Sequence, residues 1–149
     1  MNKEDIVKKG TVLIIRGLPG SGKSTYIKKI FPNAVICSAD HYSVDFRGNY
    51  YFDKNKIGLN HQRSQEFFKT ALKNFLPFIV VDNTNTEIWE FETYLQLAQE
   101  YDYQVFVIRL VVSPQIAIQR NVHKVPKNKI FEMHERMEKY PGEILLSNL

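Results

Sequence analysis

Short apolar runs alternate with stretches of helical spacing along most of the chain. The run from Phe78 to Asp82 is nearly continuous in apolar residues, which is expected of a strand that is buried on both faces. Strands that alternate with helices predict βαβ units, a parallel sheet and right-handed crossovers. The predicted strands are Thr11–Arg16, Ala34–Ser38, Phe78–Asp82 and Tyr103–Val112.

The segments between these strands carry the end signals of helices. One helix stops before Pro77, because a residue that precedes proline avoids helical geometry. Thr84 and Glu87 have the spacing of a capping box, and Ser113-Pro114 is typical of an N-cap and a first helical residue. The predicted helices run from Gly22 or Lys23 to near Pro32, from Asn55 to Phe75, from the capping box to about Tyr101, from Pro114 to about Val122, and from Pro126 to a stop at Pro141-Gly142.

Some side chains are expected to serve packing alone. Cys37 should lie inside the second strand, and Trp89 should lie in the core. Four residues of the last helix lie at helical spacing and predict a stripe packed on the sheet, namely Ile130, Met133, His134 and Met137.

Length and composition restrict the class of protein. A chain of 149 residues predicts one domain, with its core at about residues 10–140. No apolar run approaches the roughly 20 residues of a membrane helix, and the charged N-terminus lacks a signal-peptide core. Cys37 is the only cysteine, which excludes an internal disulfide or a cysteine-based zinc cluster and favours the cytoplasm. The net charge of +4 is compatible with a polyanionic partner.

One motif carries most of the chemistry. The pattern GxxxxGK[ST] is matched at Gly17–Ser24, between a predicted strand and a predicted helix. Its glycines let backbone N–H groups turn inward around phosphates, and the helix N-terminus adds about half a positive charge. Lys23 should reach the β- and γ-phosphates, and the Ser24 hydroxyl should ligate Mg²⁺. We therefore expect ATP and Mg²⁺ as cofactors, bound by Gly17, Leu18, Pro19, Gly20, Ser21, Gly22, Lys23, Ser24 and Thr25.

Asp40 is the candidate general base. It follows the short second strand, and ligands of open α/β sheets bind outside the carboxyl ends of the strands. A carboxylate at this edge could accept the proton of an incoming hydroxyl. The same position also suits an Asp that caps a turn.

A polar block, Asp82-Asn83-Thr84-Asn85, closes the third strand. An apolar strand that ends in Asp is typical of a carboxylate that holds Mg²⁺ directly or through water, so Asp82 is a candidate metal residue. Asp, Asn and Thr also cap helices well. Asn83 and Thr84 are candidates for contact with the substrate or for orienting the site.

Two basic residues precede Pro126. The Arg120 guanidinium would neutralise the negative charge that develops in the transition state of phosphoryl transfer, and the Lys124 ammonium could assist it. Both could also be solvated surface cations. Further upstream, Arg47 is a candidate substrate residue, because an arginine among aromatic residues suits a phosphate contact beside stacked, unpaired bases. The aromatic residues could instead anchor the loop to the body of the protein, and they are Tyr42, Phe46, Tyr50, Tyr51 and Phe52.

Other chemistry is excluded by the residues present. A two-histidine phosphodiesterase needs two His-x-[Ser/Thr] pairs, and only His41-Tyr42-Ser43 qualifies. No HExxH zinc motif occurs.

Four blocks of the chain together resemble the 5′-polynucleotide kinase family. Their order and spacing match the family from Val12 to Tyr140, and the blocks are Arg16–Thr25, Ser38–Tyr42, Asp82–Asn85, and Arg120-Asn121 with Val125-Pro126. The chain is also similar to stand-alone P-loop ATP-binding proteins related to those kinases, through Gly48, Tyr50, Phe52 and His61. The kinase-like half of the cyclic-nucleotide phosphodiesterase family carries a similar loop.

The resemblance implies a three-layer α/β P-loop kinase domain with a mostly parallel sheet of about four strands. It implies that Asp40 is the general base toward a 5′-hydroxyl, and that Lys23 and Ser24 bind the ATP phosphates and Mg²⁺. It also implies that Arg120 belongs to a lid over the nucleotide. The expected partners are a nucleoside triphosphate and the 5′ ends of single-stranded RNA or DNA.

Two positions depart from the family pattern. A second lid arginine aligns with Lys124, which cannot make the planar two-point contact of arginine. The arginine that holds the acceptor's 3′-phosphate falls near Ser43, which carries no charge. Three hypotheses therefore stand side by side: a 5′-hydroxyl polynucleotide kinase, a kinase for a small metabolite, and an ATP-binding module without transfer activity.

Overall fold

The computed structural model describes residues 10–43, 47, 53–121 and 124–147. Within them, five parallel strands form one sheet in the spatial order β2-β3-β1-β4-β5. The central position of β1 places its carboxyl end, and the phosphate motif that follows it, in the middle of the sheet edge. The strands are β1 (Thr11–Arg16), β2 (Val35–Cys37), β3 (Phe78–Asp82), β4 (Gln104–Leu110) and β5 (Ile144–Leu146).

Helices connect these strands and cover both faces of the sheet. The described helices are α1 (Lys23–Ile30), α2 (Ile57–Lys73), α3 (Ile88–Glu100), α4 (Pro114–Gln119) and α5 (Lys127–Arg136). Two 3₁₀ turns, Ala39–Ser43 and Lys54–Lys56, lie between β2 and α2. At the start of α4, the Ser113 side chain accepts a hydrogen bond from the Ile116 amide and Pro114 is the first helical residue, as the sequence predicted.

The alternation of side chains along β1 divides the core into two layers. Val12 and Ile14 are fully buried on the face that α2 and α3 cover, together with Phe68 and Phe91. Leu13 and Ile15 face the opposite layer, which includes Ile27 of α1. Burying one such side chain contributes about 1.5–3 kcal/mol, so these two layers hold β1 in place.

The fold class predicted from the sequence is confirmed, and the bounds of β3 match the prediction residue for residue. The described sheet has five strands where about four were expected, because β5 adds one. This strand has three residues, too few for a recognisable period, and it forms by pairing with β4 across a sequence separation of more than thirty residues, as in the pair Ile108 and Ile144.

The predicted capping box at the start of α3 is also wrong. Glu87 makes no side-chain capping bond. Glu90 instead accepts hydrogen bonds from the Thr86 amide (3.1 Å) and the Thr86 hydroxyl (2.8 Å). Asn85 has a φ of +48°, and this turn delays the start of the helix by a few residues.

Two packing predictions need correction. Trp89 is 69% exposed, because its position in the first turn of α3 faces away from the sheet. In α5, Ile130 is fully buried, but it packs with Leu18 and Ala117 and not on the sheet. His134 is exposed and so does not belong to the predicted stripe.

Among the described residues, no helix combines the length and apolar character needed to cross a membrane.

The expected burial of Cys37 is confirmed, with 1% of its surface exposed. Burial raises the pKa of its thiol from the ordinary value of 9.0 to about 12. We therefore expect Cys37 to resist thiol reagents in the folded protein at neutral pH, since the thiolate is the nucleophile. Labelling of native and denaturant-unfolded protein measures this, and rapid labelling of the native state would contradict it.

The same shift predicts how stability depends on pH. The unfolded chain loses the Cys37 proton at lower pH than the folded protein, so this thiol's contribution is complete below pH 9 and is lost as the pH rises toward 12. Denaturant unfolding at a series of alkaline pH values should therefore show a steeper loss of stability for wild type than for Cys37→Ala. Parallel curves for the two proteins would contradict the assignment.

Candidate functional site

The phosphate motif forms a loop between the end of β1 and the start of α1. The Gly17 amide donates to the carbonyl of Thr84 (3.1 Å), which attaches the first residue of the loop to the segment after β3. Gly20 and Gly22 have φ values of +82° and +94°, which other residues adopt only with strain. These two glycines allow the tight curl that turns backbone amides toward a phosphate.

Helix α4 packs directly against this loop. A Cβ atom added to Gly20 would lie 2.0 Å from the carbonyl oxygen of Ala117, so the two backbones are in contact. Leu18, Ala117 and Ile130 form one buried cluster that joins the loop to α4 and α5. The elements that carry Arg120 are therefore attached to the phosphate loop itself.

Lys23 lies where two carboxylates act on it. Its ammonium group donates to the carbonyls of Gly17 (2.9 Å) and Leu18 (3.1 Å). Burial lowers the pKa of Lys23, and the negative charges of Asp82 and Asp40 oppose that shift. The predicted phosphate-binding lysine thus lies within electrostatic reach of the predicted metal residue and the predicted base.

The loop fits a triphosphate with Mg²⁺. The Ser21 hydroxyl is buried and has no hydrogen-bond partner among the described residues, as expected of a polar group that a ligand satisfies. The first turn of α1 carries no acidic side chain that would repel an anion. Ser24 and Thr25 are exposed on that turn, where a hydroxyl is accessible to a metal ion.

Asp40 is presented by the 3₁₀ turn that follows β2. The Ala39 amide donates to the Asn83 side-chain oxygen (2.9 Å), and the Asp40 amide donates to the Ser38 hydroxyl (3.2 Å). Ser38 and Ala39 are buried, whereas Asp40 is exposed. The turn is therefore anchored at its base, and its carboxylate faces solvent at the carboxyl edge of the sheet.

The block after β3 attaches neighbouring segments to one another. Asp82 pairs with Ile15 in the sheet, one residue before β1 ends. Asn83 is 7% exposed and supports the Asp40 turn, while the Thr84 carbonyl holds Gly17. Asn83 is thus placed to position the site from behind. Direct contact of Asn83 or Thr84 with a substrate stays a prediction.

The two predicted lid cations lie at the end of α4 and in the connection to α5. Arg120 is the C-cap of α4, and both Arg120 and Lys124 are exposed. Lys124 has a φ of +55°, and Asn121 braces this connection through hydrogen bonds to the Val125 backbone (2.6 and 3.2 Å). Their contact with a nucleotide stays a prediction.

The predicted aromatic loop is described only in part. Arg47 is exposed, and the predictions for Phe46, Gly48, Tyr50, Tyr51 and Phe52 fall outside the described residues. Tyr42 lies two residues after Asp40, and the Arg63 guanidinium lies 5.9 Å from the centre of its ring. This contact links an exposed cation of α2 to the turn that carries Asp40.

The profile of a family described as "AAA domain" matches residues 12–139 of this chain. The chain belongs to the AAA domain family. NEDD4-binding protein 2 from Homo sapiens is 35% identical over 139 residues, which cover 88% of this chain and 8% of the relative. This AAA domain thus spans less than a tenth of the length of that relative.

Solved structures share the fold of this AAA domain. A chain of the Pnkp1/Rnl/Hen1 RNA repair complex matches 96% of it with a TM-score of 0.78 and 19% identity, over 50% of that chain. The APS kinase CysC of Mycobacterium tuberculosis, in complex with AMPPNP and APS, matches 95% with a TM-score of 0.66 and 15% identity, over 90% of that chain. The predicted resemblance to P-loop, polynucleotide-kinase-like proteins is confirmed.

A charged cluster that no sequence motif indicates lies beneath the phosphate loop. Arg16 is fully buried, although it directly precedes the loop, and it pairs with Glu143 (2.5 Å). Burial lowers the pKa of Arg16, and the Glu143 carboxylate opposes that shift. A charged residue in an otherwise apolar strand was the available signal, but its partner is 127 positions away along the chain.

The two left-handed glycines provide a matched test of the loop. Gly20→Ala should destabilise the protein and weaken nucleotide binding, because the new methyl group would collide with the Ala117 carbonyl. Gly22→Ala has a similar φ but open space around the added atom, so it should cost only the backbone strain of about 1–2 kcal/mol. Denaturant unfolding measures both losses, and equal losses would contradict close packing of α4 on the loop.

Proposed function

We propose that this AAA domain is an ATP- and Mg²⁺-dependent kinase that phosphorylates the 5′-hydroxyl of RNA or DNA. The observation that carries the proposal is the attachment of both the phosphate loop and the Asp40 turn to the segment after β3, through the bonds from the Gly17 amide to the Thr84 carbonyl and from the Ala39 amide to the Asn83 side chain. The ammonium group at the phosphate loop is influenced by Asp82, at the end of β3, and by Asp40, on the turn after β2. Phosphoryl transfer needs a phosphate cradle, a metal residue and a proton acceptor within one site.

Each group has one task in this scheme. The loop amides and Lys23 hold the triphosphate and orient its terminal group. Ser24 and Asp82 would hold Mg²⁺, which neutralises charge on the phosphates when bound. Arg120, assisted by Lys124, adds positive charge over the transferred group as negative charge develops there.

Asp40 manages the proton of the acceptor. The hydroxyl oxygen bonds to the γ-phosphorus while the bond from that phosphorus to the ADP oxygen breaks. The hydroxyl proton passes to the Asp40 carboxylate, which is exposed and so accessible to an acceptor that approaches from solvent. The anchoring of the turn by Asn83 keeps this carboxylate at a constant position.

The surroundings of Asp40 support a polynucleotide as the acceptor. An arginine that stacks on an aromatic ring keeps its in-plane N–H groups available for a phosphate. The Arg63 guanidinium is exposed and lies 5.9 Å from the centre of the Tyr42 ring, where this arrangement is within its reach. Arg63 would supply the positive charge for the acceptor's phosphate that the family pattern places near position 43, where this chain has an uncharged serine.

The fold alone is shared by kinases with different acceptors, and a small-molecule kinase such as APS kinase is among its structural neighbours. A metabolite kinase is therefore the second candidate. A non-catalytic ATP-binding module is the third.

Transfer of labelled phosphate distinguishes these functions. We expect labelled ATP to mark 5′-hydroxyl oligonucleotides and not a panel of small hydroxyl and sulfate metabolites. Label found only on small molecules would contradict the polynucleotide assignment, and tight binding of Mg·ATP without any product would indicate the non-catalytic module.

In the same assay, Asp40→Asn should lower turnover about 10²–10⁴-fold, because general base catalysis contributes that much, and should leave ATP affinity nearly unchanged. Lys23→Ala serves as the comparison and should lose both turnover and ATP affinity. Wild-type turnover by Asp40→Asn would show that the base has been assigned to the wrong residue.

Arg63→Gln tests the acceptor side. It should raise the KM for a 5′-hydroxyl oligonucleotide about tenfold, as expected for loss of a charge-assisted hydrogen bond, with little change in the KM for ATP. Lys69→Gln removes the same charge from another exposed position of α2 and is the matched control. If both variants changed the KM for the oligonucleotide equally, the effect would be one of general surface charge.

A further inference from the structure

Arg16 makes an unusual number of contacts for a residue at the end of a central strand. Its guanidinium donates to the carbonyls of Asn85 (2.7 Å), Thr86 (2.9 Å) and Glu138 (2.7 Å) and to the Glu143 carboxylate. It also lies 4.8 Å from the centre of the Phe91 ring. One planar, fully buried group thus joins β1, the segment after β3 and the segment after α5.

These contacts lie directly behind the phosphate loop. The residue after Arg16 is Gly17, whose amide bonds to Thr84 and whose carbonyl accepts from Lys23. The Asn85 side-chain amide donates to the Ile15 carbonyl (2.9 Å), on the other side of Arg16. A displacement of Arg16 would therefore be transmitted to the first residue of the loop and, through it, to the lysine ammonium.

Thr86 connects the Arg16 guanidinium to the end of α5. Its carbonyl accepts from Arg16 and from the Glu138 amide (2.8 Å), and its hydroxyl accepts from the Arg136 guanidinium (3.0 Å). Helix α5 packs on Leu18 of the loop. The base of the loop and the helix that covers it are thus held by one set of hydrogen bonds.

We infer that Arg16 is a positioning residue for the nucleotide site: by fixing the segment after β3 and the end of α5 against Gly17, it sets the geometry in which Lys23 and the loop amides receive Mg·ATP. This inference rests on the nucleotide site of the proposed function. It requires the planar, multiply bonded guanidinium and not only a positive charge.

The chain offers a matched control in Arg109. Its guanidinium pairs with the other oxygen of the same Glu143 carboxylate (2.5 Å), but it is not among the groups that bond to the Asn85 or Thr86 carbonyls. Arg16→Lys and Arg109→Lys both keep the charge and both disturb Glu143. Only Arg16→Lys disturbs the attachment of the loop.

The experiment measures the Kd of Mg·ATP by titration calorimetry at a temperature where thermal unfolding shows each variant to be folded. We expect Arg16→Lys to raise the Kd of Mg·ATP about tenfold or more. Loss of a residue that supports a metal ligand from behind has an effect of this size on metal affinity. Arg109→Lys should stay within about twofold of wild type. Wild-type affinity in Arg16→Lys, with or without a lower unfolding temperature, would overturn the inference, and so would equal weakening by both variants.

If Arg16→Lys does not fold, Glu143→Gln carries the test, because it weakens the hold on Arg16 while leaving the three carbonyl bonds. It should weaken Mg·ATP binding about threefold, a smaller effect than loss of the guanidinium. Unchanged affinity in this variant would overturn the inference. Wild-type protein that binds no Mg·ATP would overturn the proposed function, and this result differs from the failure of Arg16 alone.

Discussion

The candidate site depends on the junction where β1 ends and the segment after β3 begins. Hydrogen bonds cross this junction in both directions, from Gly17 to Thr84, from Asn85 to Ile15 and from Arg16 to Asn85. They provide partners for buried backbone groups. A buried group left without a partner would destabilise the fold by about 1–3 kcal/mol. This junction fixes the phosphate loop relative to Asp82 at the end of β3 and, through the bond from the Ala39 amide to Asn83, relative to the turn that carries Asp40.

The electrostatics of the site follow from that placement. Lys23 loses part of its hydration by burial, which disfavours its charge, and two carboxylates compensate in part. The Arg16–Glu143–Arg109 cluster has two cations and one anion, and Arg16 is fully buried directly before the loop.

The sequence was informative where function depends on neighbouring residues. The loop, the Asp40 turn and the Asp82 block each consist of a few consecutive residues after a strand, so their composition indicates their chemistry. The sequence was misleading where tertiary packing decides whether a side chain is buried and which element it contacts. Trp89 is apolar but faces solvent, and Ile130 of α5 packs with Leu18 of the loop and Ala117 of α4 and not on the sheet. The capping of α3 by Thr86 and Glu90 follows from a left-handed turn at Asn85 that composition did not reveal.

By itself, the sequence determined the α/β class, the order of strands and helices and the phosphate motif, because hydrophobic period and loop chemistry are local properties. Only the tertiary structure decided which of the motifs meet at Lys23, how α4 and α5 cover the loop, and that Arg16 is buried at the base of the loop. The reason is physical: these outcomes depend on pairs of groups far apart along the chain, such as Arg16 with Glu143, and such pairs form only when the sheet and its helices have assembled.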